Sequence, residues 1–188
     1  NADAIEPSAC YCPNAATAGG ILMLCRNLKA GGTQWLLGRS TDADTTCTFS
    51  DVATMGSSWT TPGVKGDVIH LGGHKHIAVG CVDFGARRNK MSAWSSDDGG
   101  VTWTAPRLIW EGSSAYVNAT HEKKKKILVL YERGVTDVQS HWAVEFGLAT
   151  ISRTDVRNNA GIGFTGKWYF DEYPDGFVWP SNTSSTVS

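Results

Sequence analysis

At its middle the chain reads SDDGGVTW from Ser96 to Trp103, and Pro106 follows shortly after. In such a stretch a carboxylate can accept backbone N–H bonds and close a hairpin. Glycine can take the positive φ that a tight turn needs, and tryptophan can fold beneath the turn. We therefore interpret Ser96, Asp98, Gly100 and Trp103 as a structural turn between two strands.

The rest of the sequence has the composition of a strand-and-turn protein. It contains 21 glycines and eight tryptophans, and no stretch shows heptad or 3.6-residue apolar spacing. This pattern predicts an all-β fold of short strands. The predicted strands are Ile21–Arg26, Thr33–Arg39, Asp67–Leu71, His76–Val82, Lys90–Ser95, Ile127–Glu132 and Val144–Ile151. Glycine pairs are expected to lie between strands at Gly19-Gly20, Gly31-Gly32, Gly72-Gly73 and Gly99-Gly100.

A weaker copy of the turn occurs earlier in the chain. Ser40-Thr41-Asp42 begins in the same way, although the glycine is absent and Cys47 stands where tryptophan would be. Such a recurrence is typical of propeller blades. At ~40 to 60 residues per four-stranded blade, the 188 residues supply roughly three or four blades. Closing a ring usually takes more.

The charge balance argues against polyanionic partners. Lys+Arg 17 and Asp+Glu 18 give a formal net charge of -1, so no overall field attracts nucleic acid or an anionic membrane. The run Lys123–Lys126 is predicted to be a solvated hairpin tip. No apolar stretch approaches the ~18 residues of a membrane span, and no leader is recognisable. We expect no nucleic acid and no membrane span, and any anionic ligand must be held by individual arginines.

No metal or cofactor is expected. His70, His74 and His76 have roughly metal-like spacing, but a strand, a Gly-Gly turn and a second strand are expected to spread them apart. The five cysteines lack the paired spacing of a zinc site. In a secreted protein their odd number would leave one thiol for a partner chain, whereas in a cytosolic protein all five could be small buried side chains. Glycosylation tripeptides at Asn118 and Asn182 favour an extracellular, cell-surface or secretory location.

The residues around the central turn carry a resemblance. Ser-x-Asp-x-Gly-x-x-Trp is an Asp box, and its surroundings resemble the sialidase (neuraminidase) superfamily. In that family an arginine precedes an Asp box, a tyrosine follows on a strand, and a Leu-Tyr-Glu strand comes next. The corresponding residues are Arg88, Tyr116 in Ser114-Ala-Tyr116, and Glu132 in Leu130-Tyr-Glu132, at the family's spacings.

The resemblance extends towards the start of the chain. Glu6 in Ile5-Glu-Pro7, followed by a strand ending in Arg26, is similar to the family segment with a catalytic glutamate and a carboxylate-binding arginine. Gly66-Asp-Val-Ile69 resembles a strand that usually reads Gly-Ser-Leu-Ile. Asp67 replaces the serine there, which is expected to alter the pocket floor.

The resemblance implies a six-bladed sialidase-type β-propeller, of which this chain supplies roughly the C-terminal three to four blades. Residues 1–153 would form the blades of this incomplete ring. Residues 154–180 would form an aromatic-rich edge or closing segment, and residues 181–188 a tail or linker.

It also implies roles for single side chains. Sialidases use tyrosine as nucleophile, because a neutral phenol can approach an anomeric carbon that bears a carboxylate. Tyr116 is the candidate nucleophile, and Glu6 is the candidate base. Arg26 and Arg88 would clamp the sugar carboxylate with planar bidentate donors. Glu132 would orient the first arginine of the family's triad.

That first arginine and the acid aspartate come from early blades in the family, and neither can be assigned here. We expect a companion chain or N-terminal fragment to complete the propeller around a sialylated glycan. The implied activity is that of an exo-α-sialidase or a trans-sialidase, and the sequence leaves hydrolysis and transfer open. The alternatives are a catalytically inactive, lectin-like propeller that binds sialic acid and a purely structural Asp-box propeller.

Overall fold

A computed structural model describes residues 4–14, 17–27, 35–40, 48–51, 64–83, 88–123, 126–134, 145–158 and 167–168. In this part the chain is nearly all β. The strands are β1 (Ala4–Asn14), β2 (Thr17–Asn27), β3 (Leu36–Ser40), β4 (Thr48–Asp51), β5 (Asp67–Gly72), β6 (Lys75–Asp83), β7 (Asn89–Ser96), β8 (Arg107–Glu122), β9 (Lys126–Arg133), β10 (Glu145–Ser152) and β11 (Lys167–Trp168), with one helix, α1 (Arg153–Asn158). Within these residues, no helix is long and apolar enough to span a membrane.

The strands form two antiparallel sheets. One has the order β1-β2-β3-β4, and the other has the order β11-β10-β9-β8-β7-β6-β5. The long strand β8 belongs to two blades: up to Ser113 it pairs with β7, and from Ser114 it pairs with β9. The described residues therefore form three four-stranded units, which agrees with the predicted three to four blades.

All seven predicted strands are present, but the sequence missed four others and the helix. The strands absent from the list predicted by the residue pattern are β1, β4, β8 and β11, although the resemblance had placed Tyr116 of β8 on a strand. The expectation for Gly19-Gly20 was wrong, because both residues lie inside β2. A Cβ atom on Gly20 would lie 2.5 Å from the Cys12 carbonyl oxygen, so glycine permits close approach of strands there. Gly31-Gly32 and the second turn after Ser40 lie outside the described residues.

The core lies between the sheets and is centred on two tryptophans. Trp35 and Trp94 are fully buried and meet edge to face, with ring centroids 5.5 Å apart. The Trp35 ring occupies the space that a side chain at Gly80 would need, and Val64 accepts a hydrogen bond from its indole nitrogen at 3.0 Å. Trp35 therefore fixes the first sheet against β6.

The central turn is held together by Asp98. Its carboxylate accepts hydrogen bonds from the backbone N–H groups of Val101 and Thr102 and from the Thr102 hydroxyl. Those bonds outweigh the effect of burial and lower the pKa of Asp98. Gly99 and Gly100 have φ of 75° and 81°.

Two further contacts complete the turn. Ser96 accepts the Gly100 N–H at 2.8 Å, and the Trp103 indole donates to the Gly100 carbonyl at 3.1 Å. The residues that the sequence singled out thus bond mainly to one another, which accounts for the close spacing of the motif.

Helix α1 begins with a reciprocal cap. Asp155 accepts the Ser152 N–H at 2.9 Å, and the Ser152 hydroxyl accepts the Asp155 N–H at 3.1 Å. Arg153 forms an ion pair with Asp97 in the central turn. Of residues 154–180, the structure describes 154–158, which belong to α1, and 167–168, which form β11. The rest of the predicted aromatic edge lies outside the described residues.

Candidate active site

Tyr116 and Glu6 both stand on β-bulges. In the β1–β2 ladder Ile5 faces Arg26, and the next paired position is Ser8 opposite Leu24. Between these positions β1 contains one residue more than β2, and Glu6 lies in this bulge. Glu6 also has a φ of 49°, a conformation that costs energy for a non-glycine residue and is concentrated at functional sites. A bulge redirects a side chain out of the regular pleat.

Tyr116 is redirected in the same way on β8. Ser114 faces Arg133, and the next paired position is Val117 opposite Tyr131. The side chain of Tyr116 is 37% exposed, and its hydroxyl donates to Glu6 Oε1 at 3.1 Å. The two bulges therefore bring a phenol and a carboxylate from different sheets into one hydrogen bond at an accessible position.

Arg26 joins this pair through Glu6. Its Nη1 atom lies 3.2 Å from Glu6 Oε1 and 3.3 Å from Oε2. The Arg26 Nε atom is buried and has no hydrogen-bond partner in the described part of the chain. A buried donor without a partner is unfavourable unless a ligand or water satisfies it.

Glu132 reaches the same strand segment but makes a different contact from the predicted one. Its Oε2 atom accepts the backbone N–H of Tyr116 at 3.3 Å. The arginine that it was expected to orient has no assigned counterpart here. The structure thus connects Glu132 to Tyr116 directly.

Arg88 is connected to the site through the main chain. Its carbonyl oxygen accepts the Ser114 N–H at 2.9 Å, and its guanidinium has no carboxylate partner within the described residues. Arg88 is half-buried. Contacts therefore connect the five residues predicted for the site, with Arg26 on the phenol–carboxylate pair and Arg88 joined through its backbone carbonyl.

Cys81, which lies behind Tyr116, was not among the residues predicted for the site. This thiol is fully buried and contacts the carbonyl oxygens of Ser114 at 3.2 Å and Ala115 at 3.6 Å. Burial raises the pKa of the Cys81 thiol to about 12, so it keeps its proton. No recognisable motif surrounds this cysteine, so the sequence carries no signal for its contacts with Ser114 and Ala115.

Asp67 has a structural place between three strands. Its carboxylate is buried, accepts a hydrogen bond from the Ser8 hydroxyl, and also accepts the backbone N–H groups of Val68 and Ala119. The substitution of serine by aspartate was expected to alter the pocket floor. Its contacts join β1, β5 and β8.

The histidines do not behave as expected. His70 lies directly opposite His76 in the β5–β6 ladder, and their ring centroids are 5.1 Å apart, so the turn brings them together. His70 Nε2 contacts the Gly73 carbonyl, and both His76 ring nitrogens contact carbonyl oxygens. Among the described residues, no group of three His, Cys, Asp or Glu side chains could hold a metal ion.

Comparison with known proteins yields structures but no sequence relatives. No protein-family model matches the chain, and neither does any curated protein. The intramolecular trans-sialidase from Ruminococcus gnavus aligns with a TM-score of 0.59 and 14% identity, over 82% of this chain and 33% of that chain. A Hadza microbial sialidase aligns with a TM-score of 0.55 and 19% identity, over 70% of this chain and 25% of that one.

An arabinan-degrading enzyme aligns equally well. The α-L-arabinanase from Penicillium chrysogenum has a TM-score of 0.56 and 12% identity, over 80% of this chain and 46% of that chain. The chain thus spans a quarter to somewhat under half of the length of these structures. The likenesses show the fold, which is part of a β-propeller of the sialidase type, as predicted. The arabinan-degrading enzyme has a similar fold.

Proposed function

We propose that this chain carries the nucleophile half of a retaining exo-α-sialidase or trans-sialidase site that acts on terminal sialic acid. The single observation that supports this most strongly is the hydrogen bond from the Tyr116 hydroxyl to Glu6, with Arg26 on the same carboxylate. A free phenol keeps its proton at neutral pH and is a weak nucleophile. A carboxylate that accepts the phenolic proton during attack removes this obstacle.

The proposed reaction has two displacements. The Tyr116 oxygen attacks the anomeric carbon while its proton passes to Glu6, and the bond to the leaving group breaks with protonation by an acid outside the described residues. Water, or the hydroxyl of a sugar acceptor, then displaces the tyrosyl oxygen. Glu6 returns its proton to that oxygen, and the acid that protonated the leaving group, now deprotonated, takes the proton of the attacking hydroxyl. Two inversions give net retention.

The arginines of the region support an acidic substrate. An arabinan carries no carboxylate, so Arg26 and Arg88 would find no anionic partner on such a substrate. A sialic acid presents a carboxylate at the anomeric carbon, which guanidinium groups can bind in a bidentate manner. Arg26 and Arg88 therefore favour an acidic sugar over a neutral one.

The site needs further groups for turnover. We propose that the leaving-group acid and a further arginine come from blades outside this chain segment, either in the same polypeptide or in a companion chain. Exposed apolar side chains on β9 and β10, Leu130 and Phe146, support an additional covering element on that face.

The test is turnover of an aryl α-sialoside by the complete protein and its Tyr116→Phe variant, with binding measured in parallel. We expect a loss of roughly 10²-fold or more in kcat with binding largely kept, because only the attacking oxygen is removed. Tyr11→Phe, another exposed tyrosine, is the matched control and should turn over normally. Equal rates for Tyr116→Phe and the wild type would remove the tyrosine from the mechanism, and binding without turnover by the wild type would indicate a lectin.

A further inference from the structure

The pairing of β8 with β9 is irregular at Tyr116. Between the paired positions Ser114–Arg133 and Val117–Tyr131, β8 contains Ala115 and Tyr116, whereas β9 contains only Glu132. The extra residue takes backbone groups out of the ladder. These groups need other partners, because buried or half-buried peptide groups without hydrogen bonds are costly.

Glu132 provides the hydrogen-bond acceptor for the backbone N–H group in the bulge. Its carboxylate accepts the Tyr116 N–H at 3.3 Å in the place where a regular ladder would offer a carbonyl. Glu132 is the residue that lies opposite the bulge, so its side chain compensates for the missing backbone partner of its own strand.

Cys81 from β6 provides the hydrogen-bond donor for the backbone carbonyl groups at the bulge. Its sulfur lies 3.2 Å from the Ser114 oxygen, 3.6 Å from the Ala115 oxygen and 3.4 Å from the Ser114 hydroxyl. One S–H proton can be shared between two carbonyl groups. Cys81 is fully buried, so water cannot take its place without a rearrangement.

We propose that Cys81 is a positioning residue that, together with Glu132, closes the bulge behind Tyr116 and sets the direction in which its hydroxyl meets Glu6. The proposal rests on the proposed role of Tyr116 as nucleophile. Without the thiol, the Ser114 and Ala115 carbonyls lose a donor and the bulge can relax. A displacement of about 1 Å at a reacting atom can cost about 10²-fold in rate.

The kinetic test compares Cys81→Ala with Cys81→Ser and with Cys12→Ala in the complete protein. Cys12 is the matched control, because it is also buried and also donates to a carbonyl, that of Gly99 at 3.4 Å in the central turn. We expect Cys81→Ala to lower kcat on an aryl sialoside by roughly ten- to a hundredfold with little change in KM, and Cys81→Ser to recover most of the rate. Both alanine variants should lose similar thermal stability. An equal loss of kcat in Cys12→Ala and Cys81→Ala, or no loss in Cys81→Ala, would overturn the proposal.

A second readout separates this proposal from the proposed function. In protein labelled with ¹³C at the phenolic carbon of tyrosine, the Tyr116 signal is identified by its absence in Tyr116→Phe. We expect that signal to move in Cys81→Ala, to return towards its wild-type position in Cys81→Ser, and to stay unmoved in Cys12→Ala. If the wild type shows no turnover, the proposed function fails while the Tyr116 signal still decides the positioning role. An unmoved signal in Cys81→Ala rejects that role whatever the activity.

Discussion

At the scale of single residues, one carboxylate links binding to chemistry. Glu6 accepts the Tyr116 hydroxyl and pairs with Arg26, so a ligand carboxylate that approaches Arg26 competes with Glu6 for the same guanidinium. Glu6 already occupies the Arg26 Nη1 atom. Under the proposed function, a ligand carboxylate must therefore share this guanidinium with Glu6.

Substitution of Arg88 tests ligand binding more directly than substitution of Arg26, because the Arg88 guanidinium has no carboxylate partner in the described part of the chain. Arg88→Lys should weaken binding of a sialic acid by roughly ten- to a hundredfold, since lysine keeps the charge but loses the planar pair of donors. Isothermal titration calorimetry on the complete protein measures this. Arg153→Lys, in the α1 ion pair with Asp97, is the control and should bind normally. Unchanged affinity in Arg88→Lys would exclude Arg88 from the carboxylate clamp.

The spacing of residues along the chain predicted these side chains but not the contacts that hold them. The sequence alone was enough to select Arg88, Tyr116 and Glu132, because their order and spacing can be read along the chain. The bulges at Glu6 and Tyr116 could not be predicted, because a bulge is a mismatch between two strands and neither strand shows it alone. Cys81 was missed for the same reason, since its role depends on which carbonyl groups the bulge leaves without partners.

At the scale of elements, packing of Trp35 against β6 is the contact least tolerant of change. A Cβ on Gly80 would overlap the Trp35 ring, and one on Gly66 would lie 2.7 Å from it. Gly80→Ala should therefore destabilise the protein by about 3 kcal/mol or more, because the ring must move out of a filled core.

Urea unfolding measures this change, and Gly73→Ala is its control. Gly73 lies in the β5–β6 turn with φ of 56° and no atom within 4 Å of an added Cβ. Its substitution adds only backbone strain, about 1 kcal/mol. If the two variants unfold at the same urea concentration, the Trp35 contact does not fix the sheets.

Element boundaries show where sequence reasoning is limited. Strands β5, β6 and β9 were predicted because apolar alternation and flanking glycines coincide there. Strand β8 was missed because Glu111-Gly112-Ser113 interrupts its pattern at the point where it passes from one blade to the next. Strand β1 contains Cys10-Tyr11-Cys12-Pro13, which resembles an inserted loop, and only pairing with β2 makes it a strand.

At the scale of the whole molecule, β1 is the element that joins the first sheet to the second. Ser8 reaches Asp67, the Tyr11 carbonyl meets His76, and the Cys12 thiol reaches the Gly99 carbonyl. These contacts continue from Glu6 along the same strand. Of these contacts, the Ser8–Asp67 hydrogen bond lies closest in the chain to Glu6, so the position of the candidate base depends on it more than on the distant Cys12 contact.

His76 makes that junction sensitive to pH. Burial, the largest cause, lowers the pKa of His76 below its ordinary value of 6.5. Hydrogen bonds to the Tyr11 and His74 backbones oppose this, and the facing His70 and Arg39 lower the pKa further. The folded chain thus binds this proton more weakly than the unfolded chain does. Stability contributed by neutral His76 is complete above about pH 6.5 and decreases as the pH falls below that value.

We expect the substitution His76→Gln to flatten this pH dependence of stability. The wild type should lose stability in urea between pH 7 and pH 5, whereas His76→Gln should begin less stable at pH 7 and lose less over the same range. A neutral imidazole donates from one nitrogen only, so glutamine can keep one of the two carbonyl contacts without titrating. His74→Gln, with an exposed side chain in the neighbouring turn, should keep the wild-type slope. Identical slopes in the wild type and His76→Gln would assign the pH dependence to other groups, and the junction along β1 would then be insensitive to this histidine.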